Sequence, residues 1–412
     1  MLTPSPYAWV SQYFIGFFFA YGVYLPFWSL WFEKQGISPA DIGLLVGLGL
    51  ATRCVANLTL TPRLHRVENL LPALRYLSLL ALLFVGCHFL VGSNFWLMAL
   101  VTILFNSCCG PIVPVSDAVV NYYARLKMLD YGQTRLWGSI AFILGSTAVG
   151  YLITAYGSDV ILYTAIFGLF ISFVLAMRYV NPMPMTKSQY SQERPRLSVL
   201  LSDRATVKFL CLVALIQGSH AAYYGFSAIY WQASGISAEM IGYLWSLGVA
   251  AEIAIFALSK RLFAGWPIRS LFIMAAFGVI LRWGMTAMST AILVLVLVQL
   301  LHGITFAVAH IAAIQYIQHA AENKVVVLQA LYNAIPLGGF IALMTILSGR
   351  LYEVWGGNVF WLMAAMGALA LMIKLEPQRK VDSIIDLSKP SSGADNPTSG
   401  ADNPTSVTGI KD

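Results

Sequence analysis

The chain has 412 residues, 58% of them hydrophobic and only 10% charged, with a mean hydropathy of +0.73 and a formal net charge of +7. A soluble domain carries about 25% charged residues, so the composition excludes one. The positive charge is spread over several short loops, which argues against a nucleic-acid partner, and Cys54, Cys87, Cys108, Cys109 and Cys211 lack metal-ligand spacing and read as buried small hydrophobes.

Apolar runs of about 20 residues recur along the whole chain, long enough to cross ~30 Å of hydrocarbon at 1.5 Å per residue. Only helices and closed barrels satisfy their backbone in lipid, and the runs lack the alternation of a barrel strand. The expected fold is an all-α polytopic membrane protein. Its start, "MLTPSPYAWVSQYF", has no basic leader region or small-residue cleavage site, so the first span is expected to be retained.

In chain order the spans are predicted at 7–32, 40–62, 72–91, 94–121, 133–155, 159–179, 206–232, 239–261, 268–288, 291–318, 326–351 and 357–375. With twelve spans, the loop cations Arg63 to Arg75, Arg125, Lys127, Arg178 to Lys208, Lys260 to Arg269 and Lys324 fall on the side that holds both termini. Lys34 and Arg350 stand on the other side. The positive-inside rule assigns the basic side to the cytoplasm.

The long polar connection at 181–205 divides a first bundle, 1–180, from a second, 206–375. The halves share a fragment: "QGISPADIGLLVGLGLATR" from Gln35 and "SGISAEMIGYLWSLGVAAE" from Ser234. Parallel repetition of two pseudo-symmetric six-helix bundles is a transporter pattern, with the substrate site at midplane between the halves. In this register Arg53 lies over Glu252. The tail, 376–412, contains the tandem repeat SGADNPT and is expected to be disordered and cytoplasmic.

Charges deep within the spans cost roughly 2.5–3.5 kcal/mol each on insertion scales, so they are expected to face a wet cavity and one another. They are Asp117, Glu252, Arg53, Arg135 and Arg282, with His220, His302 and His310. Asp117 shares a helical stripe with Asn106 and Gly110, which Asn121 extends, and Pro111 and Pro114 predict a kink. Arg135 shares one with Ser139, Phe142 and Ser146. Further stripes carry Phe17, Tyr21, Tyr24 and Trp28; Gln217, His220, Tyr224, Ser227 and Trp231; and Trp245, Gly248, Glu252 and Phe256. The plainer readings are an Asp117–Arg135 salt bridge, a packing pair between Glu252 and Arg53 or Arg282, and hydrogen-bonded core histidines. His65, His88 and His319 read as loop or interface residues.

The spacing of Asp117 and Arg135, with "YGQTRLWGSIAF", resembles the oligosaccharide–proton symporter branch of the major facilitator superfamily. That resemblance implies a substrate site at Asp117, Arg135 and Phe142, and a proton-coupling cluster that includes Arg282 and His302. Two features depart from it. Thr305 replaces the proton-carrying glutamate, and Glu252 matches the span-8 carboxylate only with a shift of about one turn. Longer stretches, "YGVYLPFWSLW", "QGSHAAYYGFSAIYWQASG" and "LQALYNAIPLGG" among them, resemble the phenylpropionate permeases of enteric bacteria. This implies uptake of a small aromatic monocarboxylate together with a proton.

On that reading Arg135, and second Arg282, offers a planar fork to the carboxylate. Phe142, Tyr24, Trp28, Tyr224 and Trp245 wall the ring, and Asp117 orients Arg135. Glu252 carries the proton, with His302, Arg282 and Arg53 as its coupling partners. His220, His310, Asn106 and Asn121 are secondary candidates. No metal or cofactor is expected, and the working unit is a monomer in a bacterial inner membrane. The competing classes are a sugar or nucleoside symporter, an exporter of aromatic compounds, and a membrane acyltransferase, for which His302 and His310 lack an adjacent acid. A channel is disfavoured by the lack of a ring of like charges.

Overall fold

The computed structural model describes residues 4–64, 66–185, 200–320 and 322–375. The described residues are overwhelmingly helical and contain no strand. The first half comprises α1 (Pro6–Lys34), α2 (Pro39–Thr59), α3 (Leu70–Val91), α4 (Phe95–Arg125), α5 (Tyr131–Tyr156) and α6 (Val160–Ala176). The second comprises α7 (Arg204–Gly218), α8 (Ala221–Ala233), α9 (Ala238–Leu262), α10 (Ile268–Met288), α11 (Ile292–His302), α12 (Ala309–Gln318), α13 (Glu322–Ala334), α14 (Ile341–Trp355) and α15 (Val359–Met372). Among the described residues, ten helical stretches are long and apolar enough to cross a membrane. The shorter α6, 17 residues, spans about 26 Å. The 49-residue stretch Lys324–Met372 turns at Gly356–Asn358 and is long enough for two crossings. Large side chains such as Leu90, Trp96, Leu293 and Met372 are exposed on the perimeter, as a lipid-facing surface requires.

The repeated fragment folds the same way twice. Gly36 and Gly235, at φ of 79° and 84°, take a left-handed conformation that ends α1 and α8. Ser38 and Ser237 then cap α2 and α9, each hydroxyl accepting an amide N–H from three residues on, Asp41 and Met240. The similarity between the halves therefore encodes a shared stop-and-restart between helices.

Three spans predicted as unbroken helices are interrupted. The seventh breaks at Ser219 and His220, where α7 gives way to α8. The tenth contains a π-helical segment, Gly303–Val308, placed where Gly303 lies against the Ala251 carbonyl. The eleventh contains another, Ile335–Phe340, which holds Pro336, a residue with no N–H to give the helix. By contrast α4 continues as α-helix through Pro111 and Pro114.

All the described helices belong to one compact unit. Contacts between the halves, α2 on α14 and α5 on α9, are as extensive as those within them. Both seams depend on glycine: a Cβ on Gly43 would lie 2.6 Å from Gly349 Cα, and one on Gly242 would lie 2.5 Å from the Ser146 carbonyl. The tail from 376 and most of the 181–205 connection lie outside the described residues.

Candidate functional site: a charged aromatic cavity between the halves

A cavity of about 350 Å³ lies between the two halves, lined by residues of α1, α2, α5, α8, α9, α11, α14 and both π-helical segments. Its charged lining consists of Arg135 and Glu252, with His302 beside Glu252. Its walls are aromatic: Phe18, Tyr21 and Phe142 from the first half, and Tyr223, Tyr224, Trp245 and Phe306 from the second.

Arg135 sits one turn into α5, whose start is fixed by Asp130 accepting the Gln133 amide. Its guanidinium lies 4.2 Å from the Phe18 ring centroid and 5.5 Å from that of Phe14. Cation–π contact and Tyr131 hold the group, and with five N–H donors a guanidinium retains donors for a ligand. Among the described residues no carboxylate lies within ion-pair distance of it. The Asp117–Arg135 salt bridge of the plainer reading is therefore not formed. Asp117 lies outside the cavity, its Oδ1 buried without a hydrogen-bond partner, and Tyr131 stands close to both residues.

On the opposite wall Glu252 Oε2 lies 3.7 Å from His302 Nε2. Behind His302 is Arg282, fully buried. Arg282 donates to Val298 O at 3.0 Å, His302 Nδ1 at 2.9 Å, Thr305 Oγ1 at 3.1 Å and Gln299 Oε1 at 3.2 Å. Its guanidinium also lies 4.8 Å and 4.2 Å from the Tyr223 and Trp283 rings. This buried cation is held wholly by neutral groups. A guanidinium can only donate, so His302 Nδ1 accepts and its hydrogen resides on Nε2, toward Glu252. Similarly His220 Nδ1 donates to the Gln217 carbonyl at 3.1 Å, so its Nε2 accepts from Thr305 at 3.1 Å. The Thr305 hydroxyl thus takes a hydrogen from Arg282 and passes its own to His220.

The sequence-predicted residues divide clearly. Arg135, Phe142, Tyr224, Trp245, Glu252 and His302 line the cavity, and Arg282 supports it from one layer behind. Arg53 does not pair with Glu252. It donates to Tyr21 Oη at 3.3 Å and approaches Cys109 Sγ at 3.8 Å, outside the lining. Tyr24 lies behind Tyr21, donating to Asn106 Oδ1 at 3.3 Å. Trp28 packs with Tyr24, Trp31, His88 and Phe105 outside the lining, because its stripe turns away from the cavity toward α3 and α4. His220 is locked in the hydrogen-bond chain, and His310 bonds Tyr332 at 2.6 Å. Asn121 is exposed near the end of α4. His88, read as an interface residue, is buried in the Trp28 cluster.

Residues missed by the sequence reading are Phe18, Tyr223, Phe306 and Gln299. Gln299 carried a usable signal: a lone amide in "VLVQLLH", three residues before His302 and so on the same helical face. It accepts from Arg282 and donates to Tyr223 Oη at 3.1 Å.

One side of the cavity is sealed by the interhelical seams. Along α5, α9 and α14 the seam residues lie nearer the end with the loops after residues 156, 233 and 355, and the cavity residues lie deeper; α2 meets the second half at both ends, at Gly43 and at Cys54, whose Sγ donates to the Ala334 carbonyl at 3.3 Å. The seal comprises Gly43 on Gly349, Gly242 on the Ser146 carbonyl and Gly150 on the Ala238 carbonyl. Ser246 adds hydrogen bonds to Ser146 at 2.9 Å and Thr147 at 3.0 Å, and Tyr151 bonds Tyr243.

Comparison with known proteins places this geometry. Residues 7–363 match the model of the MFS_1 like family. The chain is 43% identical over 368 residues, 89% of its own length and 96% of the relative's, to the "Probable 3-phenylpropionic acid transporter" of Escherichia coli (strain K12). It is 25% identical to the maltose permease of Geobacillus stearothermophilus, covering 88% of this chain and 93% of that one. In three dimensions it resembles the crystal structure of the nucleoside transporter NupG, with a TM-score of 0.72 at 16% identity over 90% of this chain and 98% of that one. The fold, the cavity between its halves and these relationships together make the chain a member of the MFS_1 like family, a multi-pass membrane transporter of the major facilitator type.

Proposed function

We propose that the protein is a proton-coupled symporter that imports a small aromatic monocarboxylate, of the 3-phenylpropionate kind, across the bacterial inner membrane. The observation that carries this reading is Arg135: a guanidinium with no carboxylate partner among the described residues, facing an aromatic cavity whose far wall holds Glu252. A volume of about 350 Å³ falls within the range of small-molecule pockets, roughly 300–1,000 Å³. The guanidinium takes the carboxylate, and Phe142, Tyr224 and Trp245 take the ring. The name carried by the E. coli relative supports the same substrate class.

Bringing an anion into a negative-inside cell costs about 2.3 kcal/mol per charge per 100 mV. One proton on Glu252 cancels that cost and draws on the pH gradient. His302, its Nδ1 engaged by Arg282, orients Glu252 and does not carry the proton itself. With both termini cytoplasmic, the sealed seams lie on the outer side of the cavity. The two halves, 1–180 and 206–375, then rock about it as the seams open and close. The transporting unit is the monomer.

The test is a substrate panel in proteoliposomes: 3-phenylpropionate, cinnamate, lactose and uridine, each with and without an imposed inward pH gradient. The proposal expects gradient-driven accumulation of the two aromatic acids alone. Accumulation of lactose or uridine in their place would overturn it.

A further inference from the structure

The cavity lining contains, among the described residues, one guanidinium and one carboxylate. Arg282 is separated from Glu252 by the His302 ring and already donates to Val298, His302, Thr305 and Gln299. Arg53 is engaged by Tyr21 and Cys109 outside the lining. His302 cannot supply a positive charge without giving up the hydrogen bond from Arg282, because a doubly protonated ring has no acceptor nitrogen. Of the elements packed on α9, α5 brings Arg135, α11 brings His302, α8 brings Tyr223 and Tyr224, and α12 brings His310, whose ring meets Phe256 and whose Nδ1 bonds Tyr332; the segment Gly303–Val308 has no titratable side chain. Arg135 is the cation that shares the cavity lining with Glu252.

From this arrangement we infer that Arg135 is a single cation shared by two carboxylates, Glu252 and the substrate's, so that seating the substrate's carboxylate obliges Glu252 to take up a proton. The inference rests on the reading of Arg135 given above and supplies its coupling step. The empty cavity balances one positive and one negative charge. A bound monoanion adds a second negative charge in a low-dielectric space, and a proton from water, forming an O–H bond on Glu252, restores the balance. Proton and substrate are thus coupled one to one by electrostatics within the cavity, before any helix moves. A neutral ligand of the same shape leaves the balance untouched and carries no proton.

Proton uptake on binding to the purified full-length protein tests this, read with a pH-indicator dye in weak buffer, alongside the pH dependence of the dissociation constant. The probes are 3-phenylpropionate and its uncharged amide. The wild type takes up about one proton per 3-phenylpropionate, and its apparent Kd rises up to about tenfold per pH unit above the titration of Glu252. The amide binds with no proton uptake. E252Q binds both probes without proton uptake and with a Kd independent of pH, its binding of the amide showing that it is folded. Equal proton uptake with acid and amide, or undiminished uptake in E252Q, overturns the shared-cation step. The proposed function survives that result if the wild type still accumulates the acid under a pH gradient. Failure of the wild type to bind 3-phenylpropionate overturns both.

Discussion

His302 Nδ1 accepts a hydrogen from Arg282 Nη1 at 2.9 Å, and that contact determines which nitrogen of His302 faces Glu252. It makes the imidazole a fixed neutral donor toward the carboxylate. A side chain that reproduces the acceptor preserves the arrangement, whereas one that deletes it leaves a buried N–H unpaired, at about 1–3 kcal/mol. H302N is expected to retain gradient-driven accumulation within about tenfold of wild type, and H302L to lose most of it. Uptake in matched vesicles at equal protein density checks this. Equal loss in both variants would point to His302 as a proton carrier.

Thr305 occupies the place where the symporter resemblance implies a glutamate, and its role here is to link Arg282 to His220. T305S keeps both hydrogen bonds and should leave stability within about 1 kcal/mol, whereas T305V strands a guanidinium N–H and an imidazole nitrogen and should cost about 2–4 kcal/mol. Thermal unfolding in detergent compares them. A T305V protein as stable as wild type would contradict the network.

The aromatic wall is tested by Phe142, which packs 6.1 Å from Tyr21 at an interplanar angle of 64° and faces the cavity. Removing that ring with F142A should raise the Km for 3-phenylpropionate roughly 10- to 100-fold, the equivalent of about 1.5–3 kcal/mol of apolar contact. W28A should leave Km within about twofold, since Trp28 lies outside the lining and reaches Tyr21 only through Tyr24. The reverse ranking would relocate the substrate.

Close approach at the seam is tested by Gly242, whose added Cβ would sit 2.5 Å from a backbone oxygen that cannot move aside cheaply. G242A is expected to separate α5 from α9, break the Ser146–Ser246 hydrogen bond and destabilise the sealed state by about 1–3 kcal/mol. Cysteines placed at the adjacent exposed positions of α5 and α9 should then label faster from the outside. Unchanged labelling would mean that the seam tolerates the methyl group.

Much of the fold was legible because hydrophobic run length is set by bilayer thickness and leaves little freedom. The spans predicted at 7–32 and 133–155 are the helices Pro6–Lys34 and Tyr131–Tyr156. The cavity charges were legible for a related reason: Arg135, Glu252 and Arg282 are too costly in lipid to sit there without a function or a partner. What sequence could not fix was which partner each one takes. The shared register of Arg53 and Glu252 suggested an equivalence. Position along a helix, however, does not specify rotation about it, and Arg53 points to Tyr21 and Cys109. Trp28 misled for the same reason, its stripe being continuous with Tyr21 but turned toward α3. The π-helical segment at Gly303 was invisible because it depends on a close contact from another helix, Ala251 onto Gly303, whereas the one at Ile335 carried a signal in Pro336.

Exchange of one proton on Glu252 per transported acid is the step on which the proposed mechanism turns. Proteoliposomes containing wild-type or E252Q protein, loaded to follow labelled 3-phenylpropionate, measure uphill accumulation under a pH gradient and equilibrium counterflow without one. E252Q is expected to lose accumulation entirely while counterflow stays within about tenfold of wild type, since exchange of bound substrate needs no net proton release. Concentrative uptake by E252Q under the same gradient would contradict that mechanism.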